Sequence, residues 1–177
     1  DTQPAFADRH AKNDGKDALG RLEQAILTGD ASTIEGDWQG LFKHYAAALE
    51  RLLRRHGQLT DVRRALARGF AEARLVAILE LLEPLEHGFI YQVIDQQATF
   101  QSANNDGAKR RNVRRSLWEF SLGYLLVERG SVFNKRSYLE SLLRQMAVAE
   151  NRGYLELLDN LLRLFGPSGG VALRARP

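Results

Sequence analysis

The sequence predicts an all-α protein, folded as a single-domain bundle of about six or seven amphipathic helices. Apolar residues recur at spacings of three and four along most of the chain, which is the period of a helix with one buried face. No segment alternates apolar and polar residues in the way a half-buried strand does. A length of 177 residues with 44% hydrophobic and 27% charged residues suits one globular domain with its own core.

Both ends of the chain are predicted to lie outside the bundle. Residues 1–13 are expected to form a flexible or extended arm, and residues 167–177, which lack periodicity, a flexible tail. The helical domain then spans residues 14–166. An irregular basic segment near residues 102–112 is expected to interrupt it, because Ser102-Ala103-Asn104-Asn105-Asp106-Gly107 is the strongest loop signal in the chain.

The first two helices are predicted from apolar stripes and from residues that favour helix ends. The first helix carries Leu19, Leu22 and Ile26 on one face and stops at Gly29. The second is expected to run from Asp37, an N-cap residue type, to His56, with Gly57 just beyond it. Its stripe consists of Trp38, Leu41, Phe42, Tyr45, Leu49, Leu52 and Leu53.

The third helix is predicted to begin at Thr60 and to be the central one. Its stripe contains Val62, Leu66, Phe70, Ala73, Ala77 and Leu81, and further apolar residues (Leu75, Ile78, Leu79 and Leu82) widen the second half. A helix that is apolar on more than one face is usually packed by several neighbours. Pro84 forces a kink or a break, and a fourth helix follows with Leu85, Phe89, Ile90, Val93, Ile94 and Phe100.

Three further helices are predicted in the C-terminal part of the chain. The fifth carries Val113, Leu117, Phe120, Tyr124 and Val127 and ends at Gly130. Asn134 is expected to cap the sixth, and the seventh covers residues 154–165. Trp118 and Tyr138 fall off the main stripes, so both are predicted to be exposed.

The composition and the motifs argue against several classes of chemistry. A chain without cysteine forms no disulfide, thiolate nucleophile or zinc–cysteine site. Gly166-Pro167-Ser168-Gly169-Gly170 lacks both the lysine of a phosphate cradle and the preceding strand that a Gly-x-Ser-x-Gly elbow requires, so it is predicted to be a linker. Glu80, Glu83, Glu86 and His87 lack the Glu-x-x-His spacing of a di-iron bundle. We therefore predict no catalytic residue, no metal and no cofactor.

The sequence also predicts a soluble protein. No apolar stretch approaches the roughly 18–20 residues that a membrane-spanning helix requires. Residues 1–7 lack the basic and apolar parts of a signal peptide, which slightly favours the cytoplasm.

Charge is distributed unevenly along the chain. From Val76 to Ala108 there is no lysine or arginine, and the basic run Lys109-Arg110-Arg111-Asn112-Val113-Arg114-Arg115 follows directly. Such banding either holds a bundle in register or forms a charged surface patch. The residues predicted to form a binding surface are Arg63, Arg64, Arg68, Lys109, Arg110, Arg111, Arg114, Arg115 and Trp118.

The leading functional prediction is a non-enzymatic interaction or regulatory module that contacts a protein partner with an acidic surface. The alternative is a nucleic-acid-binding domain, in which the basic run meets phosphates and Trp118 stacks on an unpaired base. The arginines could instead pair within the chain, with Glu119, Asp106 or the acidic residues between Glu80 and Asp95. Assembly into a homo-oligomer is open as well, because an apolar stripe looks the same whether it packs within one chain or between two.

A third functional prediction comes from a short motif. The segment Arg51-Leu52-Leu53-Arg54-Arg55-His56 places four residues between an arginine and a histidine. Over these six residues it resembles the Arg-x4-6-His element of HEPN-type helical ribonucleases. The resemblance implies metal-independent RNA cleavage, in which Arg51 and His56 handle the 2′-hydroxyl and the scissile phosphate. Leu52 departs from the family pattern, which tends to carry a polar residue there. Alternatively, Arg54, Arg55 and His56 complement the negative end of their own helix.

Overall fold

The structure is a computed structural model that describes residues 5–34, 36–101, 107–150 and 159. All regular structure in these ranges is helical, which confirms the all-α class. The described part contains eight α-helices, slightly more than the six or seven predicted. Their bounds are α1 (Ala5–Thr28), α2 (Trp38–His44), α3 (Ala46–His56), α4 (Thr60–Gly69), α5 (Glu72–Leu82), α6 (His87–Gln101), α7 (Gly107–Gly123) and α8 (Lys135–Glu150).

The chain divides into two compact units, residues Asp1–Glu128 and Arg129–Pro177. In the first unit α1 packs against α3 and α4, α4 packs against α7, and α6 lies between α5 and α7. The buried positions of α1, α3 and α4 follow helical spacing, as the amphipathic pattern predicts. They include Leu22, Ile26, Leu49, Leu53, Val62 and Leu66.

The helix predicted to start at Thr60 is divided into α4 and α5. Phe70 and Ala71 adopt extended backbone conformations between the two helices, and the side chain of Phe70 is buried. Just before this break, α4 lies so close to the end of α1 that a Cβ at Gly69 would overlap the carbonyl oxygen of Gly29. Tertiary packing therefore ends α4 here, where the apolar pattern alone continues.

Two segments predicted to be irregular are helical. Residues 5–13 lie in α1 rather than in a flexible arm, and residues 107–112 form the beginning of α7. Alanine, lysine and arginine, which supply many of these residues, are strong helix formers. Residues 102–106, most of the predicted seventh helix and the predicted tail lie outside the described residues.

Two of the predicted caps are confirmed. Asp37 Oδ1 accepts a hydrogen bond from the Gly40 amide, and Asn134 Oδ1 accepts one from the Ser137 amide, each at 2.9 Å. The second predicted helix is split at Tyr45, which separates α2 from α3.

The segment that directly follows α7 is wound more loosely than an α-helix. Residues Tyr124–Glu128 form a π-helical turn. The side-chain amide of Gln58, in the connection between α3 and α4, donates to the Leu126 carbonyl oxygen at 2.6 Å. This bond satisfies a carbonyl that lies inside the π-helical turn.

The described part of the second unit consists mainly of α8. Tyr138 is fully buried, and its ring centroid lies 5.6 Å from that of Phe133. The predicted exposure of Tyr138 is therefore wrong. Among the described residues of the chain, no helix has both the length and the apolar character required to cross a membrane.

Candidate functional site

The predicted basic surface lies where α4 packs against α7. Arg63 of α4 lies beside Gly123 of α7, and Arg64 Nε lies 3.5 Å from an Oε1 atom of Glu119. Residue numbers therefore increase along α4 in the direction in which they decrease along α7, so the two helices run antiparallel. This register places side chains from two distant parts of the sequence along one seam.

One turn beyond the Arg64–Glu119 pair, both helices carry exposed arginines. Arg68 follows Arg64 on α4, and Arg115 precedes Glu119 on α7, with Arg111 one turn further back. All three side chains are exposed, and no carboxylate of the described residues lies within ion-pair distance of any of them. We refer to Arg68, Arg111 and Arg115 as the arginine row.

Arg63 has a structural role instead. Its Nη1 donates to the carbonyl oxygens of Gly57 and Gln58 at 2.7 and 2.9 Å, and its Nη2 donates to Thr60 Oγ1 at 3.2 Å. These carbonyl oxygens belong to the connection that follows α3. The guanidinium supplies hydrogen-bond donors to carbonyl groups that have no amide partner within the helix. Arg63 is consequently occupied within the protein.

Arg114 is likewise held inside the first unit. Its Nε donates to Glu72 Oε1 at 2.8 Å and its Nη1 to Asp95 Oδ1 at 2.9 Å. Burial lowers the pKa of the guanidinium, but the hydrogen bonds with the two carboxylates outweigh that effect and raise the pKa above its ordinary value. The positive charge of Arg114 is therefore matched by two carboxylates from α5 and α6.

Trp118 is buried rather than exposed, which corrects the prediction. Only 2% of the residue is exposed, and its indole Nε1 donates to the same Glu72 oxygen at 3.3 Å. A carboxylate that accepts the indole N–H allows the whole ring to leave water. A buried indole offers no face on which a base could stack.

The remaining predicted residues differ in what is described of them. Arg110 is exposed and already takes part in an interaction within the chain, whereas the side chain of Lys109 lies outside the described residues. Arg64 lies within ion-pair distance of Glu119 and of Asp61. Among the predicted residues whose side chains the structure describes, Arg68, Arg111 and Arg115 are exposed and have no ion-pair partner among the described residues.

The short ribonuclease-like motif is not brought together on one side of α3. Arg51 is exposed, while His56 Nε2 lies 2.8 Å from Glu23 Oε1 of α1, with 17% of the His56 side chain exposed. Five helical steps turn these two side chains about 140° apart around the axis. Sequence reasoning missed Glu23, because the contact joins residues 33 positions apart.

Among the acidic residues and the histidine near Pro84, His87 is engaged with the backbone. His87 Nδ1 hydrogen-bonds with the Pro84 carbonyl oxygen at 2.9 Å. In the described residues, no group of three or more histidine and carboxylate side chains is arranged to hold a metal ion.

A second feature, which sequence reasoning missed, is an apolar groove of about 640 Å³ between the α2–α3 region and α5. Its walls are Trp38, Gln39, Phe42, Lys43 and Ala46 on one side, and Ala73, Val76, Ala77, Glu80, Leu81 and Pro84 on the other. Arg74 lies over the Trp38 ring, with its guanidinium carbon 5.4 Å from the ring centroid. The sequence feature that could have indicated the groove is the apolar character of α5 on two sides. One side is buried in the core, and the other lines this groove.

No protein-family model matches the chain, and comparison with curated proteins and with solved structures finds no match either. The geometry of the described residues is therefore the basis for a functional proposal.

Proposed function

We propose that this protein is a non-enzymatic helical interaction module that binds an acidic surface of a protein partner through the arginine row. The observation that carries the proposal is the contrast along the α4–α7 seam. Arg64 and Arg114 meet carboxylates, whereas Arg68, Arg111 and Arg115 present their charges to solvent. Charges that are already paired within the fold add little to association, whereas exposed ones steer an oppositely charged partner.

The placement of the row on two packed helices also supports a preformed surface. Helical positions are fixed before the partner arrives, so little ordering of the backbone accompanies binding. A soluble, cytoplasmic protein organised as a single bundle fits this role, and these properties remain predictions.

Nucleic-acid binding is the second candidate, and the geometry favours it less. The stacking platform expected at Trp118 is buried, and Arg63, Arg64 and Arg114 are engaged within the chain. Three phosphate contacts would give a salt slope of only about −3 on duplex DNA. The nuclease prediction stays third, with His56 bound to Glu23.

The test compares two variants that change the net charge equally. The row variant replaces three arginines of the row by glutamate: Arg68, Arg111 and Arg115. The control variant replaces three exposed arginines elsewhere in the unit by glutamate: Arg21, Arg51 and Arg55. The probes are fluorescein-labelled poly-L-glutamate and a labelled DNA duplex. Binding of each probe is measured by fluorescence anisotropy over a salt series. We expect the row variant to bind poly-L-glutamate at least about tenfold more weakly, and the control variant within about twofold of the wild type.

Equal losses in the two variants would show that net charge, and not the row, is responsible, and would overturn the assignment. A wild-type protein that binds the duplex about tenfold more tightly than poly-L-glutamate, with a slope near −3, would favour the nucleic-acid function instead. Circular dichroism of both variants checks that the helices are retained.

A further inference from the structure

The groove between α2 and α5 presents an apolar floor with two charged residues at its sides. The α5 wall extends from Ala73 to Pro84, and its helical part, which ends at Leu82, rises about 14 Å. Phe42 is buried at the groove, and Trp38, Val76 and Leu81 are half-buried there. An open apolar depression of this length is more than the scattered exposed apolar side chains of an ordinary surface.

Lys43 and Glu80 stand on opposite walls of the groove. Both side chains are exposed, and neither has an ion-pair partner among the described residues. Apart from Arg74, which covers Trp38, the walls therefore place one positive and one negative charge on opposite sides of an apolar centre. A patch with this distribution is complementary in charge to a copy of itself.

The two charges lie at about the same level along the groove. Trp38 meets Arg74 at the beginning of both walls, and both walls line the groove as far as Ala46 and Pro84, so they run in the same direction. At 1.5 Å per residue, Lys43 lies about 7.5 Å beyond Trp38, and Glu80 about 9 Å beyond Arg74.

We propose that the groove is the contact surface of a homodimer, occupied by the same groove of a second copy of this chain. A two-fold axis parallel to the groove would bring Lys43 of each copy over Glu80 of the other, which forms two equivalent ion pairs. A two-fold symmetric interface requires a self-complementary patch, because the same patch of both copies forms the contact. If one residue of the first copy contacts a second residue of the other copy, the reverse contact forms as well.

Leu85 provides a side chain that fits this arrangement. It follows Pro84 at the end of the α5 wall, and 89% of the residue is exposed. The same two-fold axis carries Leu85 of each copy over the Ala46 end of the other groove. Dimerisation would thus remove the most exposed large hydrophobic side chain of the described residues from water.

The first experiment is sedimentation equilibrium of the full chain from about 1 µM to about 500 µM, a range that covers a weak to moderate dimer. We expect the mass to rise towards twice that of one chain as the concentration increases. Leu85→Ser should weaken association about tenfold without affecting folding, since the side chain is solvated in the monomer. A wild-type protein that remains monomeric throughout this range would overturn the proposal and leave the groove to a different occupant.

The second experiment uses charge reversal and needs no unknown ligand. Lys43→Glu places two glutamates opposite each other at both rim positions of the dimer, and Glu80→Lys places two lysines there, so each variant alone should dimerise at least about tenfold more weakly. Mixed in equal amounts, they should associate again, because every rim position of the mixed dimer then holds one acid and one base. The double variant Lys43→Glu/Glu80→Lys should dimerise like the wild type.

Failure of the mixed variants to associate would contradict the two-fold pairing, even if the wild type dimerises. The row variant of the proposed function (Arg68, Arg111 and Arg115 replaced by glutamate) changes α4 and α7 only, and it should dimerise normally. A loss of partner binding and a loss of self-association can therefore be distinguished.

Discussion

At the scale of the residue, Glu72 determines what two of the predicted binding residues do. One of its oxygens accepts hydrogen bonds from Arg114 and from Trp118, and it draws both side chains away from the solvent. The contact joins residues 42 positions apart, so no local pattern in the sequence could reveal it. Pairing of the basic run with the acidic stretch before it was the alternative left open by the sequence, and Arg114 pairs in this way with Asp95.

Replacing Glu72 by glutamine should lower the free energy of unfolding by about 1–2 kcal/mol, because a charge-assisted network at partly buried positions is lost. The matched control is Glu50→Gln, which removes an exposed pair with Arg54 one turn along α3 and should cost about 0.5 kcal/mol or less. Urea unfolding followed by circular dichroism measures both. Equal changes would mean that the Glu72 network stabilises the fold no more than a surface ion pair does.

At the scale of the element, the ends of helices show which features are encoded locally. The caps at Asp37 and Asn134 were predicted, because such a cap needs only a side-chain oxygen and an amide two or three residues further on. The break at Phe70 was not predicted, because it depends on the packing of α1 against α4. Gly29, which has a positive φ of 70°, and Gly69 let the two backbones meet there.

Gly69→Ala should therefore destabilise the protein by about 2–3 kcal/mol, since the added methyl group would overlap the Gly29 carbonyl oxygen and push α4 away from α1. Gly20→Ala introduces the same group inside α1, where nothing lies within 4 Å, and should stabilise by up to about 1 kcal/mol. Thermal unfolding distinguishes them, at about 2–4 °C per kcal/mol for a chain of this size. A neutral Gly69→Ala variant would contradict the close approach of the two helices.

At the scale of the whole molecule, the bands of charge seen along the sequence are brought together by folding. Arg114 meets Asp95 of the stretch that lacks lysine and arginine, and Arg64 meets Glu119. The number of charges can be read from the sequence, whereas their pairing and burial depend on the tertiary structure. Of the predicted residues whose side chains are described, Arg68, Arg111 and Arg115 are exposed without an ion-pair partner in the described part of the chain.

The connection between α7 and α8 joins the two units, and we expect it to be an early site of limited proteolysis. Residues 129–134 are not helical, and 77% of Val132 is exposed. Thermolysin should therefore cleave the bond between Ser131 and Val132 early, so that the resulting fragments are among the first products. Val132→Asp should slow this cleavage several-fold. Mass spectrometry of a time course identifies the fragments. Resistance of this bond while helical segments are cut would contradict the described connection.

The two tryptophans give this protein a pair of built-in optical reporters. Trp38 lies half-buried at the groove beneath Arg74, whereas Trp118 is enclosed with its indole N–H bound to a carboxylate. Emission from the first should respond to whatever covers the groove, and emission from the second to loss of the core. Replacing either one by phenylalanine leaves a single fluorophore, so occupancy of the surface and integrity of the fold can be followed separately in the same sample.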